Sequence, residues 1–206
     1  METEVNINII TLGDPFVGKT SIIKRIKDGT FNEHVNATVG VRLFIIKKKN
    51  EKKNIMISLN FKDTAGQELF QNSIPVQYIR NSHIVLLVFS DIDSLNNLKD
   101  RWYSFFKQNA NIDNSRFILV GNKSDIFGNE KEEILREGQK FAEEINAHFI
   151  ACSAKSEDNM DNLERFITTE AKNFIDQAEE ILRKINENKK LSLNENNQDK
   201  KNDCKC

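Results

Sequence analysis

Apolar runs and helical apolar stripes alternate along this chain. Runs at Val5–Leu12, Val39–Lys47, Ile55–Phe61, Ile84–Ser90, Arg116–Gly121 and Ala147–Cys152 predict six strands. IVLLVFS and RFILVG are nearly all apolar, the pattern of strands covered on both faces. Between the strands the period changes. Ile22, Ile23 and Ile26 share one face of a helix over Thr20–Lys27. Leu95, Leu98, Trp102 and Phe105 recur at helical spacing, as do Ile134, Phe141 and Ile145. Leu163, Phe166, Ile167, Phe174, Ala178, Ile181, Leu182 and Ile185 form one long stripe, which reads as a core face. Alternation without internal repeat predicts an α/β fold: a six-stranded, mostly parallel sheet flanked by about five helices.

Two polar stretches bound this pattern. KKKNEKKN, Lys47–Asn54, reads as an exposed hairpin turn in preference to a nucleic-acid patch. After Ile185 the pattern gives way to an Asn-, Lys- and Glu-rich segment without aromatic residues, which predicts a disordered tail. The domain is therefore expected over residues 4–175, with 176–206 the end of the last helix and the tail.

Composition narrows the class. With 38% hydrophobic and 30% charged residues and a net charge of −1, the 206-residue chain reads as one highly polar globular domain. Nothing in that charge balance argues for nucleic acid. No apolar run approaches the roughly 20 residues of a membrane span, and METEVNIN lacks a signal-peptide pattern, so cytosol is expected. Cys152 is alone within the domain, while Cys204 and Cys206 end the chain as C-x-C, so no disulfide framework is expected. His34, His83 and His148 have no metal-ligand spacing and read as structural or surface residues.

The chemistry lies in short motifs. GDPFVGKT (Gly13, Asp14, Pro15, Phe16, Val17, Gly18, Lys19, Thr20) leads from the first strand into the first helix and fits G-x-x-x-x-G-K-[ST]. Such a loop, continued by Ser21, cradles phosphates with backbone N–H groups at a helix N-terminus. Lys19 would reach the β- and γ-phosphates, and the Thr20 hydroxyl would ligate Mg²⁺. DTAGQE follows the third strand and supplies Asp63 for hydrated Mg²⁺, Gly66 for a γ-phosphate contact and Gln67 to orient an attacking water. NKSD follows the fifth strand, at the edge where α/β ligands bind. The Asp125 carboxylate matches guanine's N1–H and amino group, a pair adenine lacks, and Lys123 can lay its stem along the base.

GDPFVGKT, DTAGQE, NKSD and CSAK (Cys152–Lys155), in this order, resemble the Ras superfamily of small GTPases over essentially the whole domain. The resemblance implies a P-loop G domain that binds GTP and GDP with Mg²⁺ and hydrolyses GTP slowly on its own. It implies that Phe31 packs on the guanine and that Thr38 ligates Mg²⁺ when the γ-phosphate is present. Asn122 belongs to its base-reading motif. Ala154 is implied as the backbone donor to guanine O6, with Ser153 and Lys155 supporting that loop. Gln67 and Lys19 are the implied catalytic residues.

The end of the chain is similar to the Rab family, in which both cysteines of a terminal C-x-C are geranylgeranylated. Two lipid chains give stable attachment where one is marginal, and Lys200, Lys201 and Lys205 would add attraction to anionic membrane. That resemblance implies a lipid-anchored monomer on the cytoplasmic face of an intracellular membrane, cycling with the cytosol and acting in vesicle traffic. Its implied partners are an exchange factor, a GTPase-activating protein, a GDP dissociation inhibitor or escort protein, and effectors at the switch regions; nucleic acid is not among them. The chain departs from the Rab pattern at Arg42 and Leu43, where Asp-Phe is usual, at Lys62 in place of Trp, and at Leu69 in place of Arg. Pro15 and Phe16 stand where small residues are common, so altered hydrolysis is expected there.

Overall fold

Residues 3–33, 38, 40–65 and 76–202 are described by the computed structural model, with side chains as far as residue 185. Six strands form one sheet in the order β2-β3-β1-β4-β5-β6. They are β1 (Thr3–Leu12), β2 (Val41–Asn50), β3 (Ile55–Thr64), β4 (Ile84–Phe89), β5 (Arg116–Gly121) and β6 (His148–Ala151). Only β2 runs antiparallel, turning back into β3 through the exposed residues 51–54. That turn lies inside the lysine-rich stretch, and strand β2 takes Lys47–Lys49 with it.

The interior strands are buried as their composition requires. Every residue of β4 is buried, as are all but the first of β5. The described helices are α1 (Lys19–Asp28), α2 (Val76–Arg80), α3 (Ile92–Asn97), α4 (Ser104–Asn109), α5 (Lys131–Glu144) and α6 (Met160–Asn202), with a π-helical segment at Leu98–Tyr103. Helix α1 buries Ile22, Ile23 and Ile26, the expected face, and stops at Gly29, whose positive φ returns its N–H to the Arg25 carbonyl. A reciprocal capping box starts α3: Asp91 accepts from the Ser94 N–H, and Ser94 Oγ accepts from the Asp91 N–H.

The π-helical segment corrects one expected core position. A 3.6-residue period carries the stripe from Trp102 to Phe105, but the wider turn inserts a residue. Phe106 is the fully buried ring, and Phe105 is only partly covered. Trp102 and Phe106 pack with Leu87, Leu95, Leu98 and Leu119 in one cluster.

Two compact units divide the chain, Met1–Ala171 and Lys172–Cys206. In the second, helix α6 continues to Asn202 where irregular chain was expected. The segment has no Gly or Pro to stop a helix, and Lys, Glu, Leu and Gln are helix formers. The long stripe is also shorter as a core face than its period predicts. Leu163 and Ile167 are buried, whereas Ala178, Ile181, Leu182 and Ile185 are exposed. Periodicity selects a helix face; it does not supply something to cover it.

Candidate nucleotide-binding cleft

Neighbouring β1 and β4 both run parallel, but the chain goes to one side after β1 and to the other after β4. Crevices at such reversals, beyond the carboxyl ends of the strands, are where α/β folds bind ligands. The Gly13–Thr20 loop leaves β1 at this point. A cleft of about 420 Å³ opens there, lined by parts of that loop, Phe31–Glu33, Thr38, Thr64 and both downstream motifs.

The loop's glycines are required by close approach. A Cβ on Gly13 would stand 2.1 Å from the Val88 carbonyl oxygen, and one on Gly18 would stand 2.2 Å from Asn122 Nδ2. Gly13 has φ +145° and Gly18 has φ +95°, both unfavourable for other residues. Phe16 adopts φ +64° without being glycine, and its ring points out, 71% exposed. Behind the loop, the buried Lys19 donates from Nζ to the Gly13 and Asp14 carbonyls, both at 2.8 Å. A phosphate can replace these neutral acceptors with charged ones.

At the floor, Thr20 Oγ1 donates to Asp63 Oδ2 at 2.7 Å and lies 3.0 Å from Thr38 Oγ1. Asp63 is fully buried, and among the described residues its Oδ1 has no hydrogen-bond partner. Burial raises the Asp63 carboxyl above its ordinary range, against the opposing pull of the Thr20 hydrogen bond and of Lys19, Arg42 and Lys24. A carboxylate with an orphaned oxygen and two converging hydroxyls is a hard-oxygen donor set, which fits Mg²⁺ completed by water and phosphate oxygens. Among the described residues no cluster of His, Cys, Asp and Glu competes for that role.

The two base-side motifs are tied together by Asn122. Its Nδ2 donates to the Val17 carbonyl at 2.8 Å, and its Oδ1 accepts the Ala154 N–H at 3.1 Å. The Ala154 amide expected at guanine O6 is thus engaged by Asn122 in this structure. Ser153 Oγ donates to Asp125 Oδ1 at 2.5 Å, orienting that carboxylate. Lys123 has φ +64°, and it lines the cleft with Asp125, Ile126, Ala154 and Lys155. Lys155 pairs with Glu33 at 2.6 Å, bridging the base side to the segment that carries Phe31.

Of the predicted residues, Gly13, Asp14, Val17, Asp63 and Ser153 stand behind the lining, not in it. The Asp14 carboxylate is turned away, accepting from Asn97 Nδ2 at 2.7 Å and from Trp102 Nε1 at 2.8 Å. Val39, Gly66, Gln67, Leu69, His34, Cys204 and Cys206 lie outside the described residues. Arg25 was missed by motif reading. Its guanidinium donates to the carbonyls of Ala154 (2.9 Å) and Lys155 (3.2 Å) and pairs with Glu157, fastening the CSAK loop to α1. No local pattern marks it, because its partners are some 130 residues away. Of the other histidines, His83 Nδ1 accepts the Asn8 N–H at 2.9 Å and His148 stacks on Phe166. Cys152 is a buried thiol whose pKa burial pushes up to about 12.

A glycine-bounded loop on a strand end, with a buried lysine behind it and a threonine–aspartate pair beneath it, defines a phosphate-loop nucleotide-binding protein. Comparison with known proteins narrows this class. The Ras family model matches residues 8–198. RabC of Dictyostelium discoideum is 36% identical over 75% of this chain and 78% of its own length. RABE1d of Arabidopsis thaliana is 33% identical over 84% of this chain and 79% of its own. Human Rab-12 is 34% identical over 88% of this chain and 69% of its own. The chain belongs to the Ras family, and it is a Rab-like GTPase of membrane traffic.

Proposed function

We propose that this chain is a lipid-anchored switch in which the cleft binds Mg²⁺·GTP, and loss of the γ-phosphate releases the segments that hold it. The observation that carries this reading is the Asp63–Thr20–Thr38 oxygen cluster, with the unpaired Asp63 Oδ1 at its centre. Thr20, Thr38 and Asp63 are the residues that would hold Mg²⁺, directly or through water. When bound, Mg²⁺ supplies charge neutralisation at the β- and γ-phosphate oxygens.

The chain's own groups divide the remaining work. Gly13–Ser21 provide the phosphate-facing backbone, with Lys19 Nζ transferring from loop carbonyls to phosphate oxygens. Asp125, oriented by Ser153, accepts from guanine; Lys123 lies along the base and Phe31 against it. Asn122 holds the phosphate loop and the CSAK loop at fixed separation. Gly66 contacts the γ-phosphate, and Gln67 orients the attacking water. Hydrolysis without help is slow: among the described residues no arginine lines the cleft to stabilise the transition-state charge in cis.

Cys204 and Cys206 are the proposed prenylation sites, placing the protein on the cytoplasmic face of an intracellular membrane. No described helix is long and apolar enough to cross one. Exchange factor, activating protein, dissociation inhibitor or escort protein, and effectors are the partner classes such a switch uses. Single-turnover GTP hydrolysis tests the reading. The native protein should convert bound GTP to GDP in a Mg²⁺-dependent step, and Gln67→Leu should slow it by roughly a hundredfold, the lower range for organising a proton-transferring group. An unchanged rate in that variant would count against water positioning; failure to retain GTP would end the proposal.

A further inference from the structure

The phosphate loop is gripped from two sides at one residue. From inside the loop, Lys19 Nζ donates to the Asp14 carbonyl at 2.8 Å. From outside, Asn97 Nδ2 donates to Asp14 Oδ2 at 2.7 Å and Trp102 Nε1 to Asp14 Oδ1 at 2.8 Å. Both outer donors are neutral, so they fix the carboxylate and leave its charge intact. Asp14 is the one acidic residue in GDPFVGKT, a loop that otherwise offers N–H groups and an ammonium to phosphate. A carboxylate turned toward that cradle would repel the anion the cradle attracts.

The grip depends on the π-helical turn. Asn97 and Trp102 are five residues apart, and in an α-helix such residues point roughly 140° away from each other. A π turn bonds residue i to i+5, so the same two residues stand one turn apart on nearly one face. The turn spans Leu98–Tyr103, and it supplies the phase that lets two side chains take both oxygens of one carboxylate. Its first residue also packs on the loop: a Cβ on Gly13 would stand 3.5 Å from Leu98 Cδ1. Trp102 is fully buried, so its N–H has no water to turn to without Asp14. The wide turn is fitted to the loop and not only to the core.

We propose that Asn97 and Trp102 are positioning residues for nucleotide binding. Across the π turn they hold the Asp14 carboxylate out of the phosphate cradle and fix the carbonyl that receives Lys19. This leans on the reading above that the cleft binds guanine nucleotide phosphates. Once released, Asp14 would oppose a triphosphate more strongly than a diphosphate, so the pair also sets the balance between GTP and GDP.

The test measures dissociation constants of the full chain in Mg²⁺ for fluorescent GDP and for a slowly hydrolysed fluorescent GTP analogue. Trp102→Phe keeps an apolar ring in the core while removing one donor, and Asn97→Ala removes the other. Each should weaken binding of the GTP analogue about fivefold or more, and binding of GDP by less. Both changes are then repeated on Asp14→Asn, which keeps the shape without the charge and serves as its own baseline. There each should weaken the GTP analogue no more than about twofold. Equal losses in the two backgrounds, or equal losses for the two nucleotides, would reduce the pair to packing and overturn the proposal. So would native affinity in both donor variants. Should Trp102→Phe fail to fold, the half-buried Asn97→Ala carries the same comparison, and Asp14→Ser is the second neutral background. A native protein that binds neither nucleotide sinks the reading beneath; one that binds both while the losses stay equal sinks this inference alone.

Discussion

Thr20 and Asp63 are 43 residues apart in the chain, and the hydroxyl of one donates to the carboxylate of the other at 2.7 Å. Strand β1 feeds the loop before Thr20, its parallel neighbour β3 carries Asp63, and the register Thr11↔Asp63 brings them together. Thr20→Asn puts a larger amide against a buried carboxylate. GTP affinity in the presence of Mg²⁺ should fall about tenfold or more, as when a charge-assisted hydrogen bond is lost, and preference should move to GDP. Competition between the two nucleotides measures this. Unchanged preference would falsify the role assigned to Thr20.

Asn122 is 2% exposed and spans two loops with one amide group. Asn122→Ala strands the Val17 carbonyl and the Ala154 N–H together. Stability should fall by about 2–4 kcal/mol, two buried hydrogen bonds at about 1–2 each, and GDP should dissociate faster. Denaturant melts and release of a fluorescent GDP check both. A stable variant with native release would remove Asn122 as the spacer between the loops.

Pro15 and Phe16 line the cleft, and Phe16 carries its ring outward at a backbone angle that favours glycine. The double variant Pro15→Ser, Phe16→Gly should bind GDP within about twofold of native, because neither change removes a backbone N–H. Its thermal stability should rise by up to about 1 kcal/mol from relief at residue 16. Its hydrolysis rate should differ from native. Equal single-turnover rates would refute an influence of these residues on the γ-phosphate end.

The three cysteines should separate chemically. Burial keeps the Cys152 thiol protonated until pH about 12, so at pH 8 a disulfide reagent should titrate only the other two in folded, unprenylated protein. The third should react on denaturation. In cells, replacing Cys204 and Cys206 together should move the protein to the soluble fraction. Membrane retention of that variant would exclude lipid attachment at the two sites.

Most of the site was legible because its chemistry is local: GDPFVGKT, DTAGQE, NKSD and CSAK each place functional groups within a few residues on a strand end. What escaped is what holds these motifs. Arg25 reaches Ala154, and Asn97 and Trp102 reach Asp14, over separations of 83 to 129 residues that no window of sequence spans. The strands were legible from apolar runs, and α1 from its isoleucines. Phe106 was not, because a π turn changes the period, and the exposed end of α6 was not, because an apolar stripe does not state whether it is covered.

Trp102 is the only tryptophan in the chain, and its indole N–H is spent on Asp14 in the phosphate loop. The protein therefore carries its own optical probe. Light absorbed at the red edge of the near-ultraviolet band excites one fluorophore, whose single hydrogen bond ends one residue from Gly13. Any rearrangement of the loop as nucleotide enters or leaves should appear as a shift in emission, read without a dye, a label or a mutation, and silenced by Asp14→Ala.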